Sequence, residues 1–196
     1  EGSCGENAKW ELYSDGLLKI SGSGAMADYA AGGTPWNKYR SEVTAIVIGK
    51  DITHVGSFSF YYCQNAATVT FEEGCAPTSI GKGAFYGCSA AKQITLPKGI
   101  TYIGYDAFYG TGYYRESDNW EKNALYIGNY LIDVKESAEG EFEAKKGTTF
   151  VADYAFSECG KLEKISLPTT TTSVGAYAFN GCTALKQVVI NGKLEK

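Results

Sequence analysis

The chain has 196 residues, 44% hydrophobic and 20% charged, which is enough to bury a core and too apolar for disorder. Net charge is −4 with Lys and Arg dispersed, so no basic run can displace counterions and a nucleic-acid partner drops out. No apolar run approaches the roughly 20 residues of a membrane span, no signal-peptide pattern opens the chain, and Tyr is the outlier at 15 residues against one His.

Residues 10–21, WELYSDGLLKIS, alternate on both sides of Asp15-Gly16, which predicts a β-hairpin. The next stretch, GSGAMADYAAGGTPWNKY, reads as a loop, with Pro35-Trp36 starting a short helix that brings an aromatic ring inward. Residues 1–44 are therefore expected to cap whatever follows.

From residue 45 the sequence repeats. VGSFSFYYC at 55–63 returns as IGKGAFYGC at 80–88, IGYDAFYGT at 103–111, VADYAFSEC at 151–159 and VGAYAFNGC at 174–182. The central phenylalanines, Phe60, Phe85, Phe108, Phe156 and Phe179, are spaced 25, 23, 48 and 23 apart, the 48 being two periods. Short alternating segments keep the same step: Ile46/Ile48, Val69/Phe71, Ile94/Leu96, Ile165/Leu167 and Val188/Ile190. Apolar residues at i and i+2 share one face of a strand, and a coil of this length cannot fold alone. The prediction is a β-rich α/β solenoid over 45–196 with a short parallel ladder. Val55, Ile80, Ile103, Val151, Val174 and the phenylalanines form its interior columns, and each AF dipeptide opens a short helical corner. Gly56, Gly81, Gly104 and Gly175 are expected to release the backbone into the turn. Residues 112–150 do not read as a plain repeat. NALYIGNYLIDV, with Gly128-Asn129 at its centre, predicts an inserted β-hairpin, and GEFEA and TTFV are further strand candidates.

The pattern I-G-x-x-A-F-x-x-C followed by L-x-x-I-x-L-P resembles the BspA-type leucine-rich repeat of bacterial surface and secreted proteins. The N-terminal CGENAKWELYSDGLLKISGSGAMADY…PWNKYR is similar to the segment that often precedes such repeats. The resemblance covers Cys4 to about Ile190. It implies a leucine-rich-repeat fold, an extracellular or cell-surface location on a bacterium, and adhesion to a host or neighbouring-cell protein or glycan.

Cys63, Cys88, Cys159 and Cys182 end four of the nine-residue units, and Thr111 takes that place in the third. Side chains stacked at the ~4.8 Å coil spacing point in parallel and are poorly placed for disulfides. Reduced, buried thiols acting as small core residues are expected. Cys4 and Cys75 fall outside the column, and either a bridge between them or two separate thiols fits the sequence.

Residues for chemistry are sparse. A Ser-His-Asp or Cys-His device would have to use His54, whose alternation with Ile52 and Val55 reads as a surface or strand-edge position. GSGAM at 22–26 lacks the spacing of a nucleotide loop, and no CxxC pair suggests zinc. Glu72/Glu73 and Asp118/Glu121 are carboxylate pairs of the kind a glycosidase uses, without a spacing that requires it. No catalytic residue, cofactor or metal site is assigned.

A binding surface is the better expectation. The residue after each Phe is Tyr61, Tyr86 and Tyr109, then Ser157 and Asn180. Tyr61, Tyr86 and Tyr109 should form a stripe across consecutive coils, joined by Tyr62, Tyr113 and Tyr114. The outward ladder positions Thr68/Thr70, Gln93/Thr95 and Lys164/Ser166 form a second, small and polar face. The sequence thus reads as a noncatalytic binding module. A structural spacer of a larger surface protein is the alternative, and a glycan-active enzyme the third reading.

Overall fold

The computed structural model describes residues 1–194 and divides the chain into two compact units. One comprises Glu1–Ile100 with Asp106–Ser117, the other Thr101–Tyr105 with the residues from Asp118 onward. In each, short strands stack in parallel register coil upon coil, with little helix, which is the leucine-rich-repeat solenoid expected.

In the first unit the hairpin pairs Asn7–Leu12 with Leu17–Ala25, antiparallel, around the Asp15-Gly16 turn. The second strand is long enough to start two ladders. Leu17–Ile20 pairs in parallel with Ala45–Ile48, which pairs with Thr68–Phe71 and then Gln93–Ile94. Gly24 and Ala25 pair with Ile52 and His54, and that strand pairs with Ser79–Ile80. Alternation places Ile46, Ile48, Val69 and Ile94 inward. Trp36 precedes a 3-10 turn at Asn37–Tyr39, is fully buried, stacks on Phe60 at 6.0 Å and donates from Nε1 to the Ser59 carbonyl. Phe60, Phe85 and Phe108 continue the column at 5.1 and 5.5 Å.

The second unit repeats the plan. Glu139–Glu143 pairs in parallel with Lys161–Leu167, and that strand with Gln187–Ile190. Ala124–Ile127 and Tyr130–Val134 form an antiparallel hairpin through Gly128, whose φ is +60°. Its second strand pairs in parallel with Phe150–Val151, which pairs with Ser173–Val174. The Val134 amide donates to the Ala155 carbonyl just as the Phe156 amide donates to Ala178. Val134 thus takes the place of a phenylalanine in a coil whose motif is unrecognisable in sequence.

The corners are not helical. Residues 57–62 and their equivalents are successive turns, because two residues in each corner adopt left-handed φ. Two positions before the Phe stand Phe58, Gly83, Asp106, Tyr154 and Tyr177, and two positions after stand Tyr62, Gly87, Gly110, Glu158 and Gly181, all at φ between 54° and 74°. Left-handed residues end an i→i+4 ladder. Backbone amides alternate instead. Ser59, Tyr61 and Cys63 donate within the turn, while Phe58, Phe60 and Tyr62 donate to Lys82, Ala84 and Tyr86 of the next coil at 2.8 Å. The corner is thus a third inter-coil ladder. Among the described residues the one α-helix, Gly112–Arg115, follows the third corner and is N-capped by the Thr111 hydroxyl.

The column glycines also act differently from the expectation. Gly56, Gly81 and Gly175 are absent from the positive-φ positions. A Cβ on Gly81 would fall on the Ser57 amide nitrogen, with Ser57 Cα at 2.8 Å, and one on Gly175 would reach the Ala152 carbonyl carbon at 2.6 Å. These glycines admit the backbone of the preceding coil.

Candidate functional site: a tyrosine ladder

The corner geometry builds the tyrosine stripe. Because Phe points inward, the next residue must point out, and coil stacking repeats that direction. In the first unit Tyr61 and Tyr86 lie 5.3 Å apart and Tyr86 and Tyr109 5.2 Å, with planes 31° and 27° apart. Tyr62 packs edge-on to Tyr61 at 4.7 Å and touches Tyr86 at 5.7 Å. The helix capped by Thr111 brings Tyr114 to 5.0 Å from Tyr109, while Tyr113 is half-buried on the same helix and its amide donates to the Ala91 carbonyl. Tyr62 and Tyr109 are 42% and 45% exposed, and Tyr61 and Tyr86 are half-buried between them. Tyr62 leans over Gly87, whose absent Cβ would sit 3.0 Å from the ring.

The stacked rings of Tyr61, Tyr86 and Tyr109 cover part of one another's faces, and Tyr62 and Tyr109 are the most exposed of the group. Such a surface offers hydrogen bonds and a rigid apolar rim. It offers few open faces on which a sugar ring could lie.

A second aromatic row, which the repeat alignment did not reveal, belongs to the other unit. Tyr105, Tyr154 and Tyr177 stack at 4.7 and 5.1 Å, with Tyr177 68% exposed. Its signal was the column two residues before Phe, where Tyr154 and Tyr177 hold left-handed φ.

The cysteines are thiols. Cys63, Cys88 and Cys159 are buried, Cys182 is half-buried, and Cys4 and Cys75 are separate buried thiols. Cys88 Sγ donates to the Phe60 carbonyl at 3.2 Å, Cys182 to Phe156 at 3.1 Å and Cys159 to Val134 at 3.6 Å. Each thiol thus serves the carbonyl of the preceding coil's central residue. Thr111 instead serves its own coil, donating to Phe108 at 2.9 Å. Burial pushes the Cys63 and Cys159 thiols up to about 12 and Cys88 well above its ordinary value. The thiolate needed for reaction is therefore scarce.

His54 joins a polar chain. Its Nδ1 lies 2.7 Å from Ser79 Oγ and its Nε2 3.3 Å from Asp28 Oδ1, which also accepts the Ser57 amide at 2.7 Å. The composition is that of a hydrolytic triad, but the nearby amides of Thr78 and Gly81 donate to the Thr53 and Val55 carbonyls. They are spent on the ladder and cannot receive an oxyanion. The chain ties the loop at Asp28 to two successive coils. Of the carboxylate pairs, Glu72 is held by Lys19 at 2.9 Å and the Lys50 amide, and Glu121 by Lys145 at 3.2 Å. Among the described residues no three metal-binding side chains gather, and no helix is long and apolar enough to cross a membrane.

Comparison with known proteins places this geometry. Residues 38–134 and 113–196 match the family described as BspA type leucine rich repeat region, in six copies. Among curated proteins none matches. A leucine-rich repeat protein from Eubacterium ventriosum is 25% identical, with 97% of this chain and 72% of that one aligned at a TM-score of 0.48. A leucine rich cell surface protein from Faecalibacterium prausnitzii is 18% identical over 94% and 75%, TM-score 0.36. The pneumococcal vaccine antigen PcpA is 13% identical over 98% and 72%, TM-score 0.36. With the repeat model spanning most of its length, the chain belongs to the BspA-type leucine-rich-repeat family.

Proposed function

We propose that this domain is a noncatalytic binding module of a bacterial surface or secreted protein, and that it recognises a protein partner through Tyr61, Tyr62, Tyr86, Tyr109 and Tyr114. The observation that carries the reading is the stacked tyrosine ladder with Tyr62 and Tyr109 exposed. Tyrosine supplies large contact area at little conformational cost and is enriched at interaction hot spots. Here stacking fixes the rings before any partner arrives, which lowers the ordering cost of association. Packing of the rings on one another favours a protein over a glycan, because a pyranose needs an open aromatic face. Membership of a repeat family found in bacterial cell-surface proteins supports the surface setting.

The test is a solid-phase screen of the purified chain against extracellular-matrix proteins, mucins and immobilised glycans. Saturable binding to a protein supports the proposal. Binding confined to glycans overturns the choice of partner, and binding to nothing favours a spacer role.

A further inference from the structure

The last described coil, residues 173–190, has an open interior. In the coil before it Val151, Phe156 and Ile165 are 0% exposed, whereas Val174, Phe179 and Ile190 are half-buried and Val188 is 37% exposed. The backbone is open in the same direction. Gln187–Ile190 pairs with Lys161–Leu167 and, among the described residues, with no other strand; Ser173–Val174 likewise pairs only with Phe150–Val151. In the corner, the Tyr154, Phe156 and Glu158 amides donate to the Ala176, Ala178 and Asn180 carbonyls. Among the described residues the corresponding amides of Tyr177, Phe179 and Gly181 meet no backbone carbonyl. Each of the three inter-coil ladders therefore stops with hydrogen-bonding groups still to be paired, and such an edge is a template for another strand.

The two edges of the three-stranded sheet differ in a way that selects the occupant. At one edge, Glu139–Glu143 exposes Glu139, Glu141 and Glu143, and its register shifts at Gly140, whose φ is +70°. Like charges and a bulge keep an edge strand from pairing. At the other edge Gln187–Ile190 has neither: it holds four uncharged residues, no proline and an unbroken register against its neighbour. A head-to-tail stack would set this strand against the acidic, bulged one of the next molecule. The chain's first coil offers no alternative, because the antiparallel pair Asn7–Leu12 and Leu17–Ala25 closes it. Pairing with itself remains, and a neutral strand meets no like-charge repulsion from its own copy.

We infer that the last coil docks on the last coil of a second copy of this chain, with Gln187–Ile190 running antiparallel to itself about a two-fold axis. Directly opposed residues of an antiparallel pair share one face. The inward-facing Val188 and Ile190 must therefore oppose one another, and that register sets Val189 opposite Val189 of the second copy on the outer face. Two open interiors then close each other. Because a two-fold contact occupies both patches, assembly stops at the dimer.

The experiment uses the full chain. Sedimentation velocity and light scattering over a concentration series up to about 100 μM should show a monomer–dimer equilibrium and nothing larger. Val189→Lys and Val189→Asp each place like charges across the two-fold axis and should weaken dimerisation about tenfold or more. Mixed at low salt, the two variants should form the heterodimer. Thr95→Lys, at an exposed position of the first unit, should change nothing. Circular dichroism establishes that each variant is folded. If a charged variant is not, Val189→Cys carries the comparison: oxidised glutathione should join it into a covalent dimer and should not join Thr95→Cys. Opposed Cα atoms in an antiparallel pair lie about 4.5–5.5 Å apart, within disulfide reach. A monomer throughout that range, a dimer indifferent to charge at Val189, variants that do not pair on mixing, or growth beyond two copies would overturn the inference. So would a dimer lost in Tyr61→Ser/Tyr86→Ser/Tyr109→Ser, which would move the contact to the tyrosine ladder.

Discussion

Replacing Gly81 with Ala separates two accounts of why glycine opens the corner. If glycine only eased a turn, the cost would resemble that of any glycine with left-handed φ, about 1–2 kcal/mol. Gly81 is not at positive φ, and its added methyl would meet the Ser57 Oγ at 2.7 Å and also the Ser57 backbone, with Cα at 2.8 Å, which cannot move aside as a side chain can. The two coils would have to part there, straining the 2.8 Å bond from the Gly81 amide to the Val55 carbonyl. Overpacking of this kind costs about 1–3 kcal/mol, and weakening one buried hydrogen bond adds about 1 kcal/mol. A loss near 3 kcal/mol corresponds to roughly 6–12 °C in Tm for a domain of this size. Gly74→Ala is the matched control, because Gly74 holds φ +80° with nothing within 4 Å of a Cβ. Urea and thermal unfolding of both variants measure the difference. A Gly81→Ala protein no less stable than Gly74→Ala would refute the close-approach account.

Other outcomes follow from the same contacts. Under native conditions a thiol reagent should label Cys182 first and the buried Cys63, Cys88 and Cys159 only on unfolding, as mass spectrometry of labelled peptides would read. Trp36→Phe keeps the ring stack but leaves the Ser59 carbonyl without its indole donor, and should cost about 1–2 kcal/mol in denaturant unfolding. The Ser57 amide holds Asp28 below the usual carboxylate range, with smaller help from Ser57 and His54 side chains. A depressed carboxylate contributes stability above its unfolded pKa and loses it as pH falls through the folded value. Asp28→Asn should therefore flatten the acid limb of the stability profile and leave the limb above neutrality in place.

The columns were legible because each coil repeats the same burial. Two landmarks in one register, the phenylalanines and the alternating strand pairs, placed the tyrosine stripe and most interior residues, although in the last coil Val174 and Phe179 are only half-buried and Val188 is exposed; alternation around Asp15-Gly16 placed the hairpin. The corners were not legible. Left-handed φ at Phe58, Tyr62 and Tyr154 opposes local preference and accompanies hydrogen bonds to the next coil, which one coil's sequence does not contain. The coil around Val134 hid for a related reason, since it keeps the inter-coil bonds and not the AF motif. The Asp28–His54–Ser79 chain joins residues about one period apart, 26 and 25 positions, across separate coils. The cleft lined by Asp15, Lys38, Tyr39 and Glu42 arises where the hairpin turn and the 3-10 turn meet, a juxtaposition with no sequence signature.

The most direct test of the central claim is to immobilise the protein partner found in the screen and compare wild type with Tyr61→Ser/Tyr86→Ser/Tyr109→Ser. Circular dichroism and the unfolding midpoint first establish that the triple variant is folded. The tyrosine ladder predicts a loss of about tenfold or more in affinity, expressed mainly as faster dissociation. A folded triple variant that binds as tightly as wild type would contradict it.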